Sequence, residues 1–141
     1  MTSPDVVIVP HTHWDREWYE PFQRFRFLLV EMFDDVLTRL EQDPQFRFTL
    51  DGQTAAIEDY LAIRPEHRQR VIDRVRSGQL ALGPFHILLD EFLCSGETIV
   101  RNLRLGIAGA EQLGGAMPAA YLPDMFGHIA QMPQILRLSG I

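Results

Sequence analysis

Val6-Val7-Ile8-Val9-Pro10 runs straight into His11-Thr12-His13-Trp14-Asp15-Arg16-Glu17-Trp18-Tyr19. The continuous apolar run reads as a strand at residues 5–9, of the kind buried on both faces in a parallel sheet. Past Pro10, two imidazoles and a carboxylate alternate at every second position. If the backbone stays extended, residues two apart point the same way, and His11, His13 and Asp15 face one pocket. Neutral imidazole nitrogens and carboxylate oxygens are the ligands zinc accepts in catalytic sites that keep one position open. The cluster also lies just beyond a strand, where open α/β proteins build their sites. Spacing alone does not separate His11 from His13.

The rest of the chain alternates strand and helix. From Phe22 to Gln42, apolar residues at Phe25, Leu28, Leu29, Met32, Phe33, Val36, Leu37 and Leu40 mark one buried helical face. Phe46-Arg47-Phe48-Thr49-Leu50 alternates and ends in Asp51-Gly52, so it reads as a second strand with a turn behind it. A short helix is predicted over Thr54–Ile63. Another opens at Pro65 and stops at Gly78. Gln79–Leu82 is the third expected strand. Ser95 caps a helix running to Leu113, with Glu97 in its first turn. Gly114-Gly115 ends that helix, Ala119–Leu122 is the fourth expected strand, and Pro133 opens a last short helix.

This order implies an α/β fold with four parallel strands, flanking helices and functional loops at the strands' C-terminal ends. Carboxylates stand at each of those ends: Asp15, Asp51, Asp90 with Glu91, and Asp124. Four parallel strands without closure leave an open edge, so residues 1–141 read as the N-terminal portion of a larger barrel-like domain.

Composition narrows the function classes. The chain has 141 residues, 46% of them hydrophobic and 23% charged, which is globular rather than disordered. Its net charge is -6, and every basic residue is Arg. An acidic chain without a basic cluster is a poor partner for nucleic acid. The lone Cys94 rules out an internal disulfide and suits a reducing compartment. Met1-Thr2-Ser3-Pro4-Asp5 lacks the positive start of a signal peptide, and no window is long enough to span a bilayer. A cytoplasmic protein without membrane contact is expected.

A second motif, Tyr121-Leu122-Pro123-Asp124-Met125-Phe126-Gly127-His128, places Asp124 at the fourth strand's tip, with Gly127 permitting a tight turn. Taken together, His13-Trp14-Asp15 with Trp18 and Asp124-Met125-Phe126-Gly127-His128 resemble the N-terminal catalytic region of glycoside hydrolase family 38, the zinc-dependent α-mannosidases. Leu50-Asp51-Gly52-Gln53-Thr54, Asp90-Glu91, Ser95-Gly96-Glu97, Val100-Arg101-Asn102-Leu103 and Gln131-Met132-Pro133-Gln134 are similar to its bacterial branch, which includes mannosylglycerate hydrolases.

The resemblance implies that His13, Asp15 and Asp124 bind Zn²⁺ and that Asp124 is also the nucleophile of a retaining hydrolysis of terminal α-mannosides. It implies that Trp18 walls the sugar subsite with Phe126 beside it, and that His11 is not a ligand. The implied substrate is a mannose-containing glycoside or oligosaccharide. The family's fourth ligand, a His, and its general acid, an Asp, match nothing in these residues, so the isolated chain is expected to lack a full metal shell and an acid. Two other readings stand beside it: a zinc-dependent carbohydrate deacetylase working through metal-bound water, and a non-catalytic fragment or subunit needing a complementing chain.

For the remaining residues, Asp51 reads as a turn residue ahead of a supporting role behind a ligand. Asp90 and His128 are further site candidates, Asp90 through substrate or ligand contact and His128 through orientation of the Asp124 loop. Glu91 is undecided. His67 and His86 carry no motif and read as ordinary surface or packing residues.

Overall fold

The computed structural model describes residues 5–141; Met1–Pro4, read above as lacking a leader's positive region, lie outside the described residues. Helix α1 spans Phe22–Gln42 and buries Phe25, Leu29, Phe33, Val36, Leu37 and Leu40, the predicted face. This face packs against Leu50, Ala56, Ile57, Tyr60, Val71, Leu80 and Leu82 in the larger of two apolar clusters. Strand β1 (Phe48–Thr49) pairs in parallel with β2 (Leu80–Ala81), Phe48 opposite Leu80. The buried amide of Gln79 donates to the carbonyls of Leu40 and Asp43 at 2.8 and 3.0 Å, tying the end of α1 to the start of β2.

Helix α2 (Ala55–Leu61) follows β1, and a 3-10 turn at Pro65–His67 feeds α3 (Arg68–Arg76). Gly78, with φ +73°, stops α3 as expected. Helix α4 (Gly96–Glu111) starts on Ser95, whose hydroxyl accepts from the Thr98 amide at 3.2 Å. Ile99 and Leu103 of α4 join Phe85 and two residues of α5 (Met132–Leu138), Met132 and Ile135, in a second, smaller cluster.

The helices match the sequence reading closely, and the sheet does not. Only two strands form among the described residues, where four were expected. Val6, Val7 and Ile8 are 80%, 81% and 84% exposed, so the first expected strand is not a buried one. A strand exists only where a neighbour takes up its amides and carbonyls. That pairing begins at the strand's far end: the Thr49 amide donates to the Pro10 carbonyl, and the Thr12 amide to the Thr49 carbonyl, making a single parallel bridge from His11 to Thr49. Ala119–Leu122 likewise forms no ladder; the nearest backbone bond is Met117 N–H to the Leu82 carbonyl. A barrel is therefore not visible in these residues. No helix among the described residues is long and apolar enough to cross a membrane.

Candidate functional site

The loops after the first, third and fourth expected strands meet around one open cavity of about 240 Å³. It is lined by His13, Asp15, Trp18, Asp90, Asp124 and Phe126, together with Leu88, Leu89, Pro123 and Met125. Six of the seven residues singled out from sequence therefore share one space, although His13 lies near the start of the chain and Asp124 near its end.

His13 is the hub. Its Nε2 stands 3.6 Å from Asp15 Oδ1 and 3.8 Å from Asp124 Oδ2. Both ring nitrogens are buried and neither has a hydrogen-bond partner. Buried polar atoms in folded proteins are nearly always paired, so an imidazole orphaned at both nitrogens between carboxylates has donor capacity reserved for something else. Among the described residues no group of three His, Cys, Asp or Glu side chains closes into a ready-made metal cage; the carboxylates approach in pairs, through His13.

Asp124 carries φ +57°, the one positive value on a non-glycine residue among those described. Its side chain is 68% exposed and leans over the cavity mouth. Gly127 makes the tight turn behind it with φ +129°. Trp18 and Phe126 are 78% and 81% exposed, unusual for such large apolar rings, and both line the cavity. Trp14, by contrast, packs against the main core, its ring 6.0 Å from that of Phe25.

The structure corrects the reading of Asp51. It is wholly buried, and its Oδ2 accepts from the Trp14 amide at 2.9 Å and from Gln53 Nε2 at 2.9 Å. Its Oδ1 accepts from the Gly52 amide at 2.6 Å. The same Oδ2 lies 3.7 Å behind His13, on the Nδ1 side. Burial pushes this carboxyl above its ordinary range, against those hydrogen bonds, which pull it down. Asp51 is thus buried beneath His13, in the supporting place that the sequence reading ranked second. Asp-Gly is a turn signal locally, and only long-range packing reveals the burial.

Gln53, missed by sequence reasoning, braces three segments: it donates to the Trp14 carbonyl at 2.8 Å, binds Asp51, and accepts from the Leu88 amide at 3.2 Å. Asn102 works similarly from α4, accepting from the amides of His86 and Ile87 and donating to the Ile87 carbonyl. Glu91 is buried and holds His128 Nδ1 at 2.7 Å and the Ile129 amide at 2.8 Å. His128 therefore anchors the chain beyond Asp124 and is not among the residues lining the cavity. Asp90 does line it, and its Oδ1 accepts from the Phe92 amide. His11 leaves the alternation. Its Nδ1 pairs with the Tyr121 hydroxyl at 2.7 Å, in a different hollow from His13.

Comparison with known proteins shows what the chain is similar to. The profile of the glycosyl hydrolases family 38 N-terminal domain matches residues 3–141. A protein of Halalkalibacterium halodurans, provisionally named a mannosylglycerate hydrolase, is 47% identical over 136 residues, which is 95% of this chain and 15% of that protein. Alpha-mannosidase G of Dictyostelium discoideum is 31% identical over 138 residues, 96% of this chain and 13% of its own length. The crystal structure of an α-mannosidase from Enterococcus faecalis V583 superposes with a TM-score of 0.89 at 44% identity, covering 94% of this chain and 15% of that one. The chain thus spans about one seventh of the length of these relatives. Matched along nearly all its residues in both sequence and fold, the chain belongs to glycoside hydrolase family 38.

Proposed function

We propose that this chain is the N-terminal part of the catalytic domain of a zinc-dependent retaining α-mannosidase, and that it supplies the nucleophile and most of the metal shell. One observation carries the reading: Asp15 and Asp124, from distant loops, stand 3.6 and 3.8 Å from an imidazole nitrogen that nothing else satisfies. Two donors bound to one zinc at about 2.0–2.2 Å each sit no more than about 4.4 Å apart, so both separations suit a shared ion. His13, Asp15 and Asp124 would hold it. When bound, zinc would polarise the sugar's hydroxyls and orient the ring.

The remaining chemistry falls to the side chains. Trp18 and Phe126 offer apolar faces on which the carbon-bearing face of a hexose stacks. Asp124, at the cavity mouth, attacks the anomeric carbon. The bond to the leaving oxygen breaks as a carbon–carboxylate bond forms, and that oxygen takes a proton from a second carboxyl group. Retaining geometry needs this acid about 5–5.5 Å from the nucleophile, and water then releases the sugar by the reverse exchange. The acid and a fourth ligand come from the further length of protein that the relatives possess. The parallel pairing of residues 10–12, β1 and β2 would begin the barrel that brings them near. A mannose-containing glycoside is the proposed substrate, since the relatives are named for mannosides. The lone thiol favours a cytoplasmic setting.

The full-length protein decides the matter. It should contain zinc, hydrolyse an aryl α-mannoside, lose that activity on chelation, and become labelled at Asp124 by a fluorinated mannosyl fluoride. Release of acetate from an acetylated sugar with no label on Asp124 would favour a deacetylase instead.

A further inference from the structure

We propose that Asp51 is a positioning residue for His13: when Nε2 holds the metal, the buried Asp51 carboxylate takes the Nδ1–H and so keeps the Nε2 lone pair turned into the cavity. The inference rests on the zinc reading above and extends it to a residue outside the proposed ligand set.

Asp51 is held rigidly by three donors, Trp14 N, Gly52 N and Gln53 Nε2. One of these belongs to the residue next to His13, so a single carboxylate fixes the backbone beside the imidazole and faces its ring. Gln53 adds a bond to the Trp14 carbonyl, holding both polar groups of that residue. At 3.7 Å the two groups face each other without being hydrogen-bonded, and a shift of less than about 1 Å, on binding of a cation at Nε2, would close the N–H···O contact to about 3 Å. No other acceptor satisfies Nδ1. Among the described residues, His13 is also the sole ion-pair-range partner of Asp51. A fully buried carboxylate is costly unless positive charge stands near it. A cation on the far side of the imidazole would supply that charge through the ring. Ligating imidazoles generally give their second N–H to a carboxylate or carbonyl, which sets tautomer and ligand basicity.

The test is zinc affinity of the full-length protein, measured by chelator competition. Asp51→Asn should weaken binding about 10–100-fold. Asp34→Asn, in a separate network, should cost stability and leave affinity unchanged. Zinc held equally well by Asp51→Asn overturns the inference and leaves the mannosidase reading intact; a wild-type protein that holds no zinc overturns both. Should Asp51→Asn fail to fold, a zinc-loaded crystal structure of the wild type decides instead. A distance from Nδ1 to Oδ2 within about 3.2 Å supports the assignment, and one beyond about 3.5 Å, or a ring turned with Nδ1 to the cavity, refutes it.

Discussion

At Asp124 the backbone lies at φ +57°, where a β-carbon crowds the following carbonyl at a cost of about 1–2 kcal/mol for most residues. Asp and Asn are the side chains that tolerate this region best, so the substitution used to test the nucleophile matters. Asp124→Asn keeps shape and backbone preference, and its folding stability should stay within about 0.5 kcal/mol of wild type. Asp124→Ala should lose about 1 kcal/mol more, through strain alone. Both should lose hydrolysis on the order of 10⁴-fold, because each removes the proposed attacking oxygen. Thermal melts and kcat measured side by side separate the two effects, and an Asn variant with normal turnover would end the assignment. Gly52 is constrained differently. A β-carbon there would stand 1.8 Å from the Tyr121 carbonyl oxygen, so glycine lets the 121–124 segment lie directly on the Asp51 turn. Gly52→Ala must push that segment away, costing about 1–3 kcal/mol. A displacement of about 1 Å at a nucleophile can lower rate about 10²-fold. The expected result is therefore a folded, weakened protein whose kcat falls far more than its stability suggests.

Between elements, the decisive bond is the one that bolts the irregular 15–20 loop to the helices. Arg16 Nε and Nη2 meet the two carboxylate oxygens of Asp59 on α2 at 2.7 and 2.9 Å. The guanidinium also lies 4.9 Å over the ring of Phe22, the first residue of α1. Asp15 and Trp18 flank this anchor and reach the cavity. Arg16→Lys retains charge but not the two-pronged geometry. It should cost about 1 kcal/mol of stability, the pair being part-exposed, and raise KM more than it lowers kcat, because Trp18 loses its setting before Asp124 does. Equal losses in both constants would point to damage at the chemical step instead. Such a bond has no local signature, since 43 positions separate its partners. Local signatures did mark α1, α4 and the stop at Gly78, where periodicity, a Ser cap and a left-handed glycine act within one or two turns. Val6–Val9 shows the limit: apolar, β-branched residues specify an extended chain, while a strand also needs a neighbour that no local pattern contains. The site divides the same way. His13, Asp15 and Asp124 were visible as motifs, whereas Asp51 and Gln53 act from behind them and are defined by burial.

Across the whole molecule, function and stability occupy separate polar networks. The cavity network runs through His13, Asp51 and Gln53; the other joins α1, α2, the 3-10 turn and α3, on the α1 side of the main core. In it, Arg70 can only donate, so its contact to His67 Nε2 at 3.1 Å makes that nitrogen the acceptor. The proton then sits on Nδ1 and points at the Tyr60 oxygen, 2.5 Å away, and the Tyr60 hydroxyl donates to Asp34 Oδ1 at 2.6 Å. His67, expected to be an ordinary surface or packing residue, is thus one link of a directed chain. Burial disfavours the charged form of Asp34, but the Tyr60 hydroxyl and Arg64 outweigh it and hold this carboxyl below its ordinary value of 3.8. Glu41 is likewise held below 4.5, chiefly by its bond to Arg70. The sign of the consequence follows from proton counting. A carboxylate with a depressed folded value binds fewer protons folded than unfolded, so stability rises with pH through that window. For Asp34 the contribution is complete above about pH 4 and disappears as pH falls through the lower folded value. Asp34→Asn should therefore be less stable than wild type at pH 7, with a flatter acid limb, and the two curves should converge at the lowest pH, where the wild-type side chain is also neutral. Urea unfolding across the acid range measures this directly. A constant gap at every pH would mean that Asp34 stabilises by packing, not by charge. Because none of these side chains lines the cavity, the same variant should bind substrate normally at neutral pH.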